Sequence, residues 1–300
     1  MHPGKSPPSR ACAVASIAIL AALLAACGSD SPGPGTPGST PRLDHVIVVV
    51  MENRNFSDVR NEPYTASLIA SGTLFSNSYA LTRPSQPNYL ALWSGSTMGV
   101  DSNDCPAEGS PYHTENLGHA VEAAGLTWRA YSEHLPAAGS SVCEAGNDDL
   151  YTRKHCPWTN WSNLNHQNER PYSDLRADIR TRRLPNLAFV IPDNCNNTHD
   201  CSIATGDDWL SRNLPAMISA VGNRGLVILT YDEDEDGSNH ILTVFAGGSV
   251  RSGYVHDERI THYTVLRTIT DALGLRPFGR ATSEPAMVGP WRTRPVATSW

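Results

Sequence analysis

Residues 46–51 read Val-Ile-Val-Val-Val-Met, an unbroken apolar run in which every residue but the last is β-branched. Such side chains lose rotamer freedom in a helix and pack well on a pleated surface. Because nothing polar alternates with them, both faces of the strand they form must be buried, as in the interior of a parallel sheet. Leu226-Val-Ile-Leu-Thr-Tyr231 repeats the pattern late in the chain. Each run ends in a pair of oxygen-bearing side chains, Glu52-Asn53 after the first and Asp232-Glu233 after the second. In open α/β sheets the crevice outside the carboxyl ends of the strands is where ligands bind. Acids and amides at a strand end also serve as ordinary turn and cap residues, so neither pair decides anything alone.

The rest of the chain alternates around these runs. Helical spacing predicts helices over residues 63–71, 116–124, 172–183, 207–221 and 261–273. Short apolar segments predict strands over 73–79, 126–131, 187–191 and 241–245. Strands alternating with helices define an α/β chain, a three-layer sandwich around a mostly parallel sheet, with no internal repeat and no second domain. Residues 136–171 are long and irregular, the kind of loop expected to form a lid or substrate wall. The tail from Arg276 is Pro-rich and expected to be irregular.

The N-terminus carries an address. Lys5 and Arg10 precede an apolar stretch, 11–26, too short and Ala-rich to span a bilayer, and it ends Leu24-Ala25-Ala26-Cys27-Gly28. That ending resembles a bacterial lipobox, which predicts cleavage before Cys27 and lipid attachment to its thiol; a plain secretory signal is the alternative. Residues 1–26 are therefore expected to be a signal peptide, 27–42 a Pro/Gly/Ser-rich tether and 43–300 the working domain. The protein should be exported and held to the cell envelope, touching a membrane only through the anchor at Cys27. Of 23 basic and 30 acidic side chains, removal of the signal takes two basic ones, leaving 21 against 30, a net charge of −9. So acidic a body argues against nucleic acid or an anionic bilayer as the main partner, and any site for an anion must supply its positive charge locally. Export permits disulfides among Cys105, Cys143, Cys156, Cys195 and Cys201. Cys195 with Cys201, across a short loop, is the first expected pair and Cys105 with Cys143 the second, leaving Cys156 free; spacing alone does not fix connectivity. No Cys/His spacing suggests a zinc cage.

The chemistry-bearing residues cluster at predicted strand ends and one helix start. Ser85 lies in Arg83-Pro84-Ser85-Gln86-Pro87-Asn88-Tyr89, at or just before a helix N-terminus, where free N–H groups and the dipole favour an anion. A plain N-cap is the bland alternative. The Gly-x-Ser-x-Gly turn of α/β-hydrolases is absent. Carboxylate, amide and hydroxyl oxygens without cysteine suit one hard divalent cation such as Mg²⁺, Ca²⁺ or Mn²⁺, which can ionise a serine and polarise a phosphoryl oxygen. His155 and His199, if protonated, would neutralise phosphoryl oxygens or protonate a leaving group. Asp193 and Asp200 are candidates to orient His199. His262 reads as a packed or capping residue, and His240 with Asp234–Asp236 as a solvated turn.

Taken in order, Glu-Asn after a first strand, Pro-Ser-x-Pro-Asn-Tyr, Lys-His-x-Pro, Pro-Asp…His-Asp and Thr-Tyr-Asp-Glu resemble the bacterial and fungal phosphoesterase family of secreted acid phosphatases and phosphocholine-type phospholipases C. The resemblance runs from about His45 to Leu275. It implies an alkaline-phosphatase-like fold, a metal site of Glu52, Asn53, Ser85, Asp232 and Glu233, Ser85 as nucleophile through a phosphoserine, and His155 and His199 at the phosphate or leaving group. Arg83 stands where the family often has a His and would bind phosphate through its guanidinium fork. Cys156 stands where an Asn is common. The chain's length favours the phosphatase branch.

The expected function is metal-dependent hydrolysis of small phosphate monoesters by a monomer. Two alternatives remain: a phospholipase C or other phosphodiesterase, and a surface lipoprotein that binds a ligand without catalysis. A sulfatase is disfavoured, since no Cys/Ser-x-Pro-x-Arg motif surrounds Ser85.

Overall fold

The structure, a computed structural model, describes residues 1, 2, 4 and 39–292. The lipobox with Cys27 and nearly all of the tether lie outside the described residues. The chain divides into two units, Met1–Pro34 and Gly35–Trp300, and the second holds the sheets and their helices.

Twelve strands are described: β1 (His45–Met51), β2 (Thr73–Phe75), β3 (Ser78–Tyr79), β4 (Trp128–Ser132), β5 (Glu144–Ala145), β6 (Tyr151–Thr152), β7 (Glu169–Pro171), β8 (Leu187–Ile191), β9 (Gly225–Tyr231), β10 (Thr243–Ala246), β11 (Tyr254–His256) and β12 (Ile260–Thr261). The helices are α1 (Phe56–Val59), α2 (Pro63–Ser71), α3 (Ser85–Ser94), α4 (Leu117–Ala123), α5 (Tyr172–Thr181), α6 (Ile203–Val221) and α7 (His262–Leu273). Eight strands form the main sheet in the order β11-β2-β10-β9-β1-β8-β4-β7. Only β10 runs against the others, because it pairs antiparallel with both β9 and β2 while the remaining pairs are parallel.

β1 is central, and its double burial is literal. Val46, Val48 and Val50 face a core shared with α3, α4 and α7, while Ile47, Val49 and Met51 face one shared with α1, α2, α5 and α6. All six are at most 1% exposed. At roughly 1.5–3 kcal/mol for each large apolar side chain removed from water, this strand cannot be displaced without losing both cores. The α/β sandwich read from the sequence is therefore the fold, with a mixed sheet and helices on both faces.

Differences from the sequence reading fall at short or capped elements. The predicted strand 73–79 is split into β2 and β3 by a turn. α6 starts at Ile203, not 207, because the Ser202 side chain accepts from Thr205 N and caps the helix there. β11 and β12 go unread in the sequence; at three and two residues they carry no period. The irregular segment 136–171 holds the β5–β6 hairpin and β7, which joins the sheet edge beside β4. Both expected disulfides form, Cys105–Cys143 and Cys195–Cys201, and Cys156 is free and buried. Among the described residues no helix is long and apolar enough to cross a membrane.

Candidate active site

Three adjacent strands, β9, β1 and β8, deliver the site at their carboxyl ends. β1 and β9 run in register, with Met51 opposite Tyr231, so the next residues, Glu52 and Asp232, leave the sheet side by side. Asp232 N donates to Met51 O at 3.0 Å, and Glu52 N to Asn197 O at 2.9 Å in the loop after β8. Thr198 Oγ1 donates to Glu52 O at 2.7 Å, fixing the first acid from the other side. Asn53 adopts φ +42°, a left-handed conformation that Asn tolerates better than most residues. There its N–H reaches Asp232 Oδ1 at 3.2 Å.

Ser85 arrives from the opposite layer. It is the first residue of α3 rather than its cap, which is Pro84, so its hydroxyl is not spent on the helix's own N–H groups. Its Oγ donates toward Glu52 Oε2 at 3.2 Å and Glu233 Oε1 at 3.1 Å and lies 3.5 Å from Asn53 Oδ1. The end of the Asn53 amide sits 3.2 Å from each of Glu52 Oε2, Asp232 Oδ1 and Glu233 Oε1. A nitrogen there would share its two hydrogens among the three carboxylates; an oxygen there completes a cage of oxygens. Neighbouring ligands of an octahedral ion with bonds of about 2.1–2.3 Å stand roughly 3.0–3.2 Å apart, so the cage has the spacing that a hard cation requires.

The charge balance points the same way. Glu52, Asp232 and Glu233 are each at most 2% exposed, and Asp232 Oδ2 and Glu233 Oε2 have no hydrogen-bond partner. Burial, with Asp232 next, raises the Glu52 carboxyl well above its ordinary value, and burial with Glu233 raises Asp232 to about 7. Burial raises Glu233 too. A divalent cation would compensate three crowded, desolvated acids of this kind. No group of three or more His, Cys, Asp or Glu side chains among the described residues has metal-holding geometry by itself. The convergence needs the Asn53 amide and the Ser85 hydroxyl.

A second group of side chains borders the cage. Tyr89, one turn along α3 from Ser85, donates its hydroxyl to Glu52 Oε1. His155 Nε2 lies 3.3 Å from the same oxygen without the alignment of a hydrogen bond, while its Nδ1 meets Thr152 Oγ1 at 3.1 Å. Burial, with Lys154 and His199 alongside, pushes the His155 imidazole well below its ordinary value. The His199 ring is 6.0 Å from that of His155; its Nδ1 faces Asp200 Oδ1 at 2.6 Å and its Nε2 faces Lys154 Nζ at 3.4 Å. Arg83 Nε is 3.8 Å from Glu233 Oε2 and its guanidinium is 3.5 Å from Asp234 Oδ1.

Asp200 thus meets His199, but Asp193 does not. Asp193 accepts from Cys195 N at 3.0 Å and Asn196 N at 2.8 Å and faces His134. Asp234 is buried, not solvated, and holds the turn through Gly237 N and Ser238 Oγ. His240 stacks on Phe56 and Tyr79, and buried His262 contacts Asp232 O through Nε2 at 2.6 Å. Cys156, with its thiol pushed up to about 12 by burial, is inert packing. Tyr89 and Lys154 carry no assigned role in the sequence reading, although both lie inside its motifs, Pro-Ser-x-Pro-Asn-Tyr and Lys-His-x-Pro.

A mixed, mostly parallel sheet with helices on both faces is an alkaline-phosphatase-like fold. A protein of the alkaline phosphatase superfamily from Vibrio parahaemolyticus superposes with TM-score 0.60 at 11% identity, over 83% of this chain and 72% of that one. Phosphonate monoester hydrolase of Agrobacterium radiobacter superposes with TM-score 0.53 at 14% identity, over 85% and 81%. These likenesses bear on the fold alone. The pattern of the Phosphoesterase family matches residues 57–276. The chain is also 42% identical to a phosphatidylinositol-3-phosphatase of Mycobacterium tuberculosis, over 93% of this chain and 94% of that protein. It is 28% identical to an acid phosphatase of Aspergillus fumigatus, over 87% of this chain but 62% of the fungal protein. The chain belongs to the Phosphoesterase family and is a phosphoric ester hydrolase.

Proposed function

We propose that the protein is a metal-dependent phosphomonoesterase that works through a phosphorylated Ser85. The observation that carries this reading is the convergence of Ser85 Oγ and the Asn53 amide on three buried carboxylates. Glu52, Asn53, Ser85, Asp232 and Glu233 would hold one divalent cation, whose chemistry there is to favour the Ser85 alkoxide and draw charge from a phosphoryl oxygen. Ser85 attacks phosphorus, the ester oxygen departs, and water then releases phosphate from the serine. Tyr89 holds Glu52 in place through its hydroxyl with His155 beside it, and Arg83 and His199 face the bound phosphate. Phosphoryl transfer asks chiefly for positioning and charge neutralisation, which this set supplies.

A phosphate on a ring hydroxyl of an inositol lipid is the substrate class suggested by the name of the Mycobacterium tuberculosis relative. Two further parts of the proposal fit that class: export, and a lipid anchor at Cys27 on a tethered monomer. The test is hydrolysis of p-nitrophenyl phosphate, p-nitrophenyl phosphorylcholine and a phosphatidylinositol monophosphate, with and without chelator, by wild type and Ser85→Ala. Monoester turnover lost in both controls supports the reading. Preference for the phosphorylcholine diester moves the protein to the phosphodiesterase branch, and no turnover of any ester by folded, metal-loaded protein leaves only a binding role.

A further inference from the structure

Of the 23 lysine and arginine residues in the chain, two are lysines, Lys5 and Lys154, and 21 are arginines. Lys5 lies in the proposed leader, so beyond it every cationic position but one is arginine. Where a fixed positive charge or a planar fork suffices, this chain uses arginine. Lysine offers something arginine does not, because an ammonium can give up its proton and a guanidinium in a protein cannot.

The single lysine of the body is at the site. Lys154 occupies the 3₁₀ turn Arg153–His155 and is half-buried beside His155. Among the described residues its ammonium has one hydrogen-bond partner, His199 Nε2 at 3.4 Å. Because Asp200 Oδ1 takes the Nδ1 side of that ring at 2.6 Å, His199 presents Nε2 as an acceptor and aims the ammonium. The ring it faces is 6.0 Å from that of His155, whose Nε2 is 3.3 Å from Glu52 Oε1, so the ammonium stands beside the cage. The adjacent Arg153 is spent on structure, bonding Thr159 Oγ1, Thr159 O and Ser141 O. Other candidates for proton donation are poorer: Arg83 cannot release a proton, and His199 turns its Nε2 to the ammonium.

Resting on the Ser85 reading above, we propose that Lys154 is the general acid that protonates the departing ester oxygen. In the first half-reaction the Ser85 hydroxyl passes its proton to a carboxylate it already faces, and its Oγ–P bond forms. The P–O ester bond breaks, its electron pair stays on the ester oxygen, and that oxygen takes a proton from Lys154 Nζ and leaves as an alcohol. In the second half the neutral amine takes a proton from the attacking water, the Oγ–P bond breaks, and Ser85 recovers its proton. Charge and protons balance over the cycle with water as the only co-reactant.

The test compares leaving groups. Nitrophenolate departs without needing a proton, whereas an alkoxide does not. Wild type and Lys154→Arg are assayed on p-nitrophenyl phosphate and n-butyl phosphate, with melting temperatures recorded. The expected loss in kcat/KM for Lys154→Arg is about 10²-fold larger on the butyl ester than on the nitrophenyl ester. Equal losses on the two esters overturn the proposal. Lys154→Cys alkylated with 2-bromoethylamine restores an amine at the same reach and should recover butyl phosphate turnover; a folded, fully alkylated protein that does not recover it also counts against Lys154. Ser85→Ala should be silent on both esters, so a failure there marks the functional reading, while equal losses at Lys154 with Ser85 essential mark this proposal alone.

Discussion

The site has two halves built on different principles. Glu52, Asn53, Asp232 and Glu233 extend two central strands in register, and their positions follow from the sheet. Lys154, His155 and His199 sit on turns, held by side-chain contacts and by the Cys195–Cys201 bridge across the loop that carries His199. The first half is buried, acidic and fixed by two hydrophobic cores; the second is partly exposed and fixed locally. Electrostatic strain accumulates in the half that the fold can best restrain.

The largest expected effect comes from Ser85, whose Oγ faces the carboxylates of the first half. Ser85→Ala should lower kcat on the order of 10⁴-fold or more, with melting temperature little changed because only one buried hydroxyl is removed. Next is Asp232→Asn. The folded carboxyl titrates near 7 against an ordinary 3.8, so in the cation-free protein this group destabilises the fold increasingly as pH rises from about 4 to 7 and fully above that. The variant should therefore melt higher than wild type at pH 8 without cation, yet lose both the stabilisation by divalent cation and most activity. If cation raises its melting temperature as much as in wild type, the cage is misassigned.

Perturbing the other half should be milder. Gly206, in the first turn of α6, lets the loop of His199 lie close, since a Cβ there would stand 2.2 Å from Thr198 Cγ2 and 3.1 Å from Met51 Cε. Gly206→Ala should cost about 10–100-fold in kcat/KM and weaken cation-dependent stabilisation less than Asp232→Asn does, because Thr198 also holds Glu52 while no carboxylate is removed. The smallest effect belongs to His262. Burial holds its imidazole at about 4, so its contribution is intact above 6.5 and lost as pH falls from there through 4. His262→Gln should flatten the acid side of the melting-temperature profile over that window; an unchanged slope would assign it to other groups.

The same division governs how much can be read from sequence. β8 and α2 match residue for residue, and β1 is legible because an uninterrupted β-branched run has no other low-energy use. The acids of the cage follow from those strands. The second half is legible only as motif, since the 3₁₀ turns carrying Lys154 and His155 have no periodicity, and their approach to Glu52 depends on a fold-back of about a hundred residues. Tyr89 is hidden by its apolar neighbours in α3, where it reads as core. Asp234 reads as solvent-facing because the four residues after it are, and only the turn geometry buries it.

The pairing of Met51 with Tyr231 also has a kinetic side. It joins residues 180 apart in sequence, and until it forms, Glu52 and Asp232 belong to separate stretches of an unfinished chain. Contacts of such separation are late and slow to close. A cation therefore cannot nucleate this protein as zinc does a finger; it can only reward a chain that has already folded. Recovery of enzyme activity during refolding should accordingly trail recovery of helical signal, making catalysis itself the clock for closure of the sheet's centre.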